Sequence, residues 1–433
     1  MAEPTGLVDN SRSISLRLRN IGYPLRREML MSTRAGVGYS ENPRSWDAGA
    51  EAATAAMASA GVSVCDLAIV YSTEKHDAGQ LRNGLRSVIG PSARLIGGYA
   101  VGIITADRLG YEGHQVGVAV VASDSLQIEM FIEEGLPDNE RGVGLALARQ
   151  IASCRYRGEP NLLLMYDAVK RSAAEGLALN MATPFIEGMS EVLHIWPPAA
   201  GVGMTGSMQW NPTSQWFDNR IEQNTAMALV LAGGARMDTI IMHGCKPSGA
   251  YHEITKADEN IILEIDGRPA LEVIAQMLGT TSDRSWEEYP LFVTLGLNKG
   301  DKFAEFKEEN YANRLCMAID KDRRALVMFE PDLVSGSEVR LMRRSIDFEY
   351  IGARAGRLLD GLAGRAPFLS IYIDCAARAS AYCGTEREEA EEVQRIIGSR
   401  MPLLGMYSGV EIAKVGQDMQ ALDWTGVLCI FSE

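Results

Sequence analysis

The chain is short of positive charge. Lysine and arginine number 42 against 56 aspartates and glutamates, a formal net charge of −14, with a pI near 5.0. Phosphate binding needs a net basic surface, so nucleic acid and anionic membrane are excluded as main partners. The acidity itself reads as a solubility feature. Long apolar runs are missing too: none reaches the roughly 18 residues that span a bilayer. Seven cysteines, Cys65, Cys154, Cys245, Cys316, Cys375, Cys383 and Cys429, are scattered with no C-x-x-C pair. That excludes a disulfide framework and a structural zinc site, and points to a reducing compartment. There is no H-x-x-x-H and no paired carboxylate run, so no metal is expected. No G-x-G-x-x-G or phosphate-loop pattern follows a strand, and Gly36-Val37-Gly38 is only a lone G-x-G. Residues 1–33 are polar and basic, as in Ser11-Arg12-Ser13-Ile14-Ser15-Leu16-Arg17. They lack the apolar core of a secretory signal and read as a flexible tail. The expected location is the cytoplasm.

What the chain does have is 46% apolar residues over 433 positions, enough for two or three full-sized cores. It also has an internal rhythm. Leu95-Ile96-Gly97-Gly98-Tyr99-Ala100-Val101-Gly102, Ala200-Gly201-Val202-Gly203-Met204-Thr205-Gly206 and Leu403-Leu404-Gly405-Met406-Tyr407-Ser408-Gly409-Val410-Glu411 each run an apolar strand into a glycine turn. An apolar strand precedes each one, at Leu67, Leu162 and Phe368, and another follows, at Val116, Thr225 and Asp423. This predicts repeated strand–helix–strand–Gly turn–strand units. Around them, Trp46–Ala60 is alanine-rich and helical, with Ser45 as its cap and Gly61 as its stop. Hairpins are expected at Ser123-Asp124-Ser125, at Gly233-Gly234, and between Tyr251–Thr255 and Ile261–Ile265. Strands are expected near Leu291, Leu315 and Glu338. The fold class is α/β with an α+β tendency. Its sheets should be mixed and largely antiparallel, with helices packed outside, in two domains divided near 238.

The motifs Gly98-Tyr99-Ala100-Val101-Gly102, Gly244-Cys245-Lys246-Pro247-Ser248-Gly249, Ile265-Asp266-Gly267-Arg268-Pro269-Ala270 and Gly405–Ile412 follow one another over some 400 residues. Together they resemble the FIST sensory proteins, with an N-type domain at 34–238 and a C-type domain at 239–433. The resemblance implies an intracellular small-ligand-binding module in signal transduction, with amino-acid-like ligands. It implies no fixed catalytic set. Some members act as haem-based nitric oxide sensors. No kinase, cyclase or chemoreceptor segment fits in this chain, so a sensor of this type would signal through a separate partner protein.

The glycine turns place Tyr99, Thr205, Tyr407, Ser408 and Glu411 where backbone N–H groups and hydroxyls can meet a ligand. Arg378, in Asp374-Cys375-Ala376-Ala377-Arg378, is either a clamp for a ligand carboxylate or a structural partner of Asp374 or Glu411. The alternative is a hydrolase acting on a small carbonyl compound. It would use Cys245 or an activated water, with His243 or His252 as base. The chain is read as a binding protein ahead of an enzyme. A haem would need one axial histidine in an apolar setting, and His194 in Val192-Leu193-His194-Ile195-Trp196 is the candidate. No cofactor is otherwise expected.

Overall fold

The computed structural model describes residues 33–279 and 293–433. The tail and the strand expected at Leu291 lie outside the described residues.

The repeat is present three times. The first unit runs β1 (Arg34–Ser40), α1 (Ser45–Ala60), β2 (Leu67–Ser72), α2 (Ala78–Ile89), β3 (Arg94–Tyr99), the hairpin β4 (Gly102–Thr105) and β5 (Leu109–Tyr111), and β6 (Val116–Ala122). The second runs β7 (Gln127–Glu133), α3 (Glu140–Ser153), β8 (Asn161–Asp167), a small β9 (Val169–Arg171) and β10 (Ala178–Leu179), then α4 (Ala182–Ser190) and β11 (Ala199–Met204). It closes with the hairpin β12 (Gln215–Phe217) and β13 (Arg220–Glu222), and β14 (Ala226–Ala232).

The third unit opens with β15 (Arg236–Met242) and is then interrupted. The insertion holds β16 (Cys245–Asp258), β17 (Ile261–Ile265), β18 (Arg268–Pro269), α5 (Ala270–Leu278), β19 (Thr294–Asn298), β20 (Tyr311–Asp320), β21 (Ala325–Met328) and β22 (Glu338–Arg344). The unit resumes with α6 (Phe348–Asp360), β23 (Pro367–Cys375), the short α7 (Ser380–Cys383) and α8 (Ala390–Val393), and β24 (Leu403–Ser408). Its hairpin is β25 (Val410–Val415) and β26 (Asp418–Leu422), and β27 (Gly426–Ser432) ends it.

In each unit the first two inner strands are parallel: β2 with β3, β8 with β11, β23 with β24. The hairpin that follows leaves its own sheet. β4 pairs with β24 of the third unit, β25 with β11 of the second, and β12 with β3 of the first. The exchange closes a cycle of three. The expected glycine turns are therefore crossings between sheets. So are two of the expected hairpins: β6 and β7 lie in different sheets, as do β14 and β15, so Ser123–Ser125 and Gly233-Gly234 link sheets. Only the β16–β17 hairpin forms as read.

The apolar faces explain the layers. Leu67, Ile69, Met165, Met227, Ile371 and Cys429, drawn from all three units, share one central core. The opposite faces pack under helices, for example Val70 and Val118 against the alanines of α1. Period-two alternation sends successive residues of each strand into these two cores.

The helix pairs approach through glycine. A Cβ on Gly144 would lie 2.0 Å from the Phe185 carbonyl oxygen, and one on Gly188 2.0 Å from that of Arg141. Gly144→Ala is expected to cost about 1–3 kcal/mol through overpacking, read as a lower urea midpoint; an unchanged midpoint would refute the close contact. Ser45 is not the cap of α1. Arg44 holds that position, and the Ser45 hydroxyl accepts the N–H of Asp77 at 3.0 Å.

Candidate functional site

A cavity of about 1030 Å³ opens at the carboxyl ends of β23 and β24. Ligands of open parallel sheets bind at that end of the strands. Its floor is Cys375, Ala376 and Ala377 after β23, Ser408 and Gly409 after β24, and the Asp423-Trp424 turn. Thr205, Ser207, Met208 and Trp210, from the connection between β11 and β12, make one side. The insertion makes the other, with Leu315, Met317, Phe329, Leu341, Met342 and Arg344. The walls are mostly apolar and aromatic, with Trp210 against Phe329 at 5.7 Å. The Arg344 guanidinium lies 5.0 Å over the Trp424 ring and is ion-paired to Glu389.

Of the six ligand contacts expected from the sequence, Thr205 and Ser408 line this cavity. Glu411 stands behind Ser408, whose hydroxyl is 2.8 Å from it, and accepts the Thr425 N–H at 3.4 Å. Burial pushes its carboxyl well above the usual range. Tyr407 points to the other face of β24, where it is buried and donates to Glu388 at 2.8 Å. Tyr99 is buried against Trp216 and donates to the His76 carbonyl. Arg378 is 1% exposed and fully engaged. It meets Asp374 at 2.6 Å and Glu389 at 2.9 Å, and donates to the carbonyls of Met242 at 3.0 Å and Trp424 at 3.2 Å. It supports the cavity floor from behind.

The catalytic candidates are dispersed. Cys245 is buried, and burial pushes its thiol up to about 12. The Cys245 N–H donates to His243 Nδ1 at 2.9 Å, and Glu308 accepts the N–H of His243 at 2.7 Å. His243 is thus held inside a buried backbone knot, where desolvation lowers its pKa. His252 pairs with Asp266 at 2.6 Å near the surface. Along β22, Cys245 is opposite Arg344 and His252 is opposite Val339, a separation of roughly 17 Å at strand rise. His194 sits in an exposed loop rather than an apolar strand, beside Ile195, which is 92% exposed. His76 is buried between Ser45 and the His114 carbonyl. None of the five histidines lines the cavity. Among the described residues no cluster of three or more histidine, cysteine or acidic side chains is placed to hold a metal ion.

Buried acids surround the cavity. Burial raises Asp374 and Asp423 to about 6, and Asp167 and Glu330 to about 7. A carboxyl raised on folding stabilises the fold below its unfolded pKa, and that contribution is lost as pH rises through the folded value. His76 and His243, lowered by burial, act oppositely below about 6.5. Five raised carboxyls, Glu411 included, outweigh two imidazoles. The unfolding midpoint is therefore expected to be higher at pH 5.8 than at pH 7.5. Calorimetry at the two values tests this, and a lower midpoint at pH 5.8 would contradict it.

No motif pointed directly to Trp210, Phe329, Arg344 or Trp424. One signal was present: Asp423-Trp424-Thr425 before β27 has the spacing of Gln223-Asn224-Thr225 before β14, and Asn224 and Trp424 both adopt positive φ, 54° and 55°.

Comparison with known proteins places this geometry in context. The FIST N domain family model matches residues 66–268, and the FIST C domain model matches 270–414. Two uncharacterized proteins of Mycobacterium tuberculosis, from strains CDC 1551 and H37Rv, are 24% identical over 408 residues, covering 92% of this chain and 99% of theirs. An uncharacterized protein of Methanocaldococcus jannaschii is 23% identical over 137 residues; the match spans 31% of this chain and 27% of that protein. Among solved structures, a cyanuric acid hydrolase from A. caulinodans aligns with a TM-score of 0.27 and 11% identity, over 46% of this chain and 71% of its own. No helix among the described residues is long and apolar enough to cross a membrane.

Proposed function

Because the chain belongs to the FIST family, whose domains are generally sensory and signal-transducing, we propose that it is a small-ligand-binding sensory protein that signals through a separate partner. The observation that carries this is the cavity. Its volume of about 1030 Å³ is at the upper end of the range, about 300–1,000 Å³, typical of small-molecule sites. It is apolar, with a few convergent polar groups, and its walls come from three segments far apart in sequence. A ligand there touches the β11–β12 connection, the insertion and the third unit at once. Such a ligand can favour one arrangement of these parts over another, and its differential affinity sets the size of the response.

Native mass spectrometry of the purified chain is the test. A non-covalent mass of a few hundred daltons is expected on the wild type, and none on Ala377→Trp, which fills the floor. A wild-type chain that stays empty, and is not stabilised against heat by any compound of a broad metabolite panel, would refute the binding reading. The buried thiol of Cys245 and its separation from His252 give the hydrolase reading no supporting geometry.

A further inference from the structure

The repeat itself contains a carboxylate in the place where a ligand's would sit. In the second unit the strand β8 ends at Asp167, which is buried. Its carboxylate accepts three backbone N–H groups: Val169 at 3.1 Å, Thr213 at 3.3 Å and Asn224 at 3.0 Å. The ten-residue connection from β11 to β12 folds over this strand end and closes it.

The third unit has the same frame. Asp167 lies opposite Met204 in the parallel ladder, as Cys375 lies opposite Ser408. The Asp167 N–H donates to the Thr225 carbonyl, as the Cys375 N–H donates to that of Thr425. Gln215 accepts the Thr225 N–H, as Glu411 accepts that of Thr425. These pairings make Val169 and Asn224 equivalent to Ala377 and Trp424. The N–H groups of Ala377 and Trp424 do face the Cys375 sulfur.

Two things differ. The carboxylate is replaced by a thiol, which carries no charge and accepts hydrogen bonds weakly. The covering connection is reduced to the single residue Gly409, so the strand end is open and becomes the cavity floor. Arg344 flanks that floor over Trp424, and the exposed Arg343 also lines the cavity. Of the two acids adjacent to the floor in sequence, Asp374 is paired with Arg378 at 2.6 Å and Asp423 is engaged by the Leu315 N–H at 2.7 Å.

We propose that the ligand is an amphipathic monocarboxylate. Its carboxylate takes, beside Cys375, the N–H donors of Ala377 and Trp424 that Asp167 uses in the second unit, under Arg344. Its apolar body lies along Met208, Trp210, Met317, Phe329 and Leu341. This rests on the binding reading above and adds the class of ligand. A carboxylate gains charge-assisted hydrogen bonds that an alcohol of the same chain does not, and a cation gains none of them.

The test titrates the full chain with decanoate, 1-decanol and decyltrimethylammonium by calorimetry at pH 7.5. Protection of Cys383, a cavity-lining and partly exposed thiol, from alkylation provides a second readout. Decanoate is expected to bind at least about tenfold tighter than decanol, the size of one charge-assisted hydrogen bond, and to protect Cys383. Cys375→Asp places a carboxylate where Asp167 has one, and should remove the tenfold preference. If decanol or the ammonium binds as tightly as decanoate, the carboxylate anchor is wrong and the cavity reading stands. If none of the three binds or protects Cys383, the amphipathic monocarboxylate is wrong, and the binding reading stands or falls on the native mass spectrum. The wild-type comparison decides the matter even where Cys375→Asp does not fold.

Discussion

Arg378→Ala is expected to destabilise the protein by about 3–5 kcal/mol, the cost of stripping one partner from a buried ion pair. The side chain is 1% exposed and balances two buried carboxylates, Asp374 and Glu389. Removing it leaves Asp374 without its paired cation and leaves Glu389 with Arg344 alone. It also frees the carbonyls of Met242 and Trp424, which end β15 and shape the cavity floor. Arg378→Lys should recover only part of the loss, because one ammonium cannot reproduce the guanidinium fork toward four acceptors. Urea unfolding followed by tryptophan fluorescence reads the effect. Stability within 1 kcal/mol of wild type would show that Arg378 is not structural, and would leave the ligand clamp, the other role open to it from its sequence.

Arg378, for which two roles were open until its pairing with Asp374 was seen, shows what sequence reading could and could not reach. The three units were legible because each writes two apolar strands and a glycine crossing in the same order. Their cyclic exchange was not. Gly102 pairs with Tyr407 and Gly203 with Val410, and nothing local records partners hundreds of residues apart. The same blindness made Ser123–Ser125 and Gly233-Gly234 look like hairpins, since a tight turn between two strands reads alike whether the strands pair or part. Of the residues placed on the glycine turns, Thr205 and Ser408 line the cavity. Tyr407 was misjudged by one residue of alternation: it is adjacent to Ser408 and so faces the opposite core. The insertion's two motifs, Gly244–Gly249 and Ile265–Ala270, lie outside the cavity lining. The insertion contributes Leu315, Met317, Phe329 and Leu341 as ordinary apolar strand or strand-end residues, and only their docking makes them a wall.

That docking depends on a second buried arginine, and the response to its loss should depend on what else is changed. Arg314, on β20, is fully buried and meets Asp332 of the insertion through two guanidinium nitrogens, Nε at 2.6 Å and Nη2 at 2.5 Å. It also reaches across to β26, donating to the Ala421 carbonyl at 2.7 Å and to Gln420 at 3.2 Å. Arg314→Met removes the cation and strands Asp332, and about 3–5 kcal/mol should be lost. Asp332→Leu added to it removes the stranded charge. An ion pair replaced by apolar groups of similar volume is often close to neutral, so the double variant should be more stable than Arg314→Met alone. It should not reach wild type, because the Ala421 carbonyl still lacks its donor. The two variants then separate folding from docking. If Arg314 serves only the insertion's own core, the double variant should bind the wild type's ligand normally. If it fixes the insertion against β26, and so the distance across the cavity, binding should remain weak after stability has largely returned. Urea midpoints and ligand titration on the same two variants distinguish these. A double variant less stable than the single would show that Asp332 is not a stranded charge once Arg314 is gone.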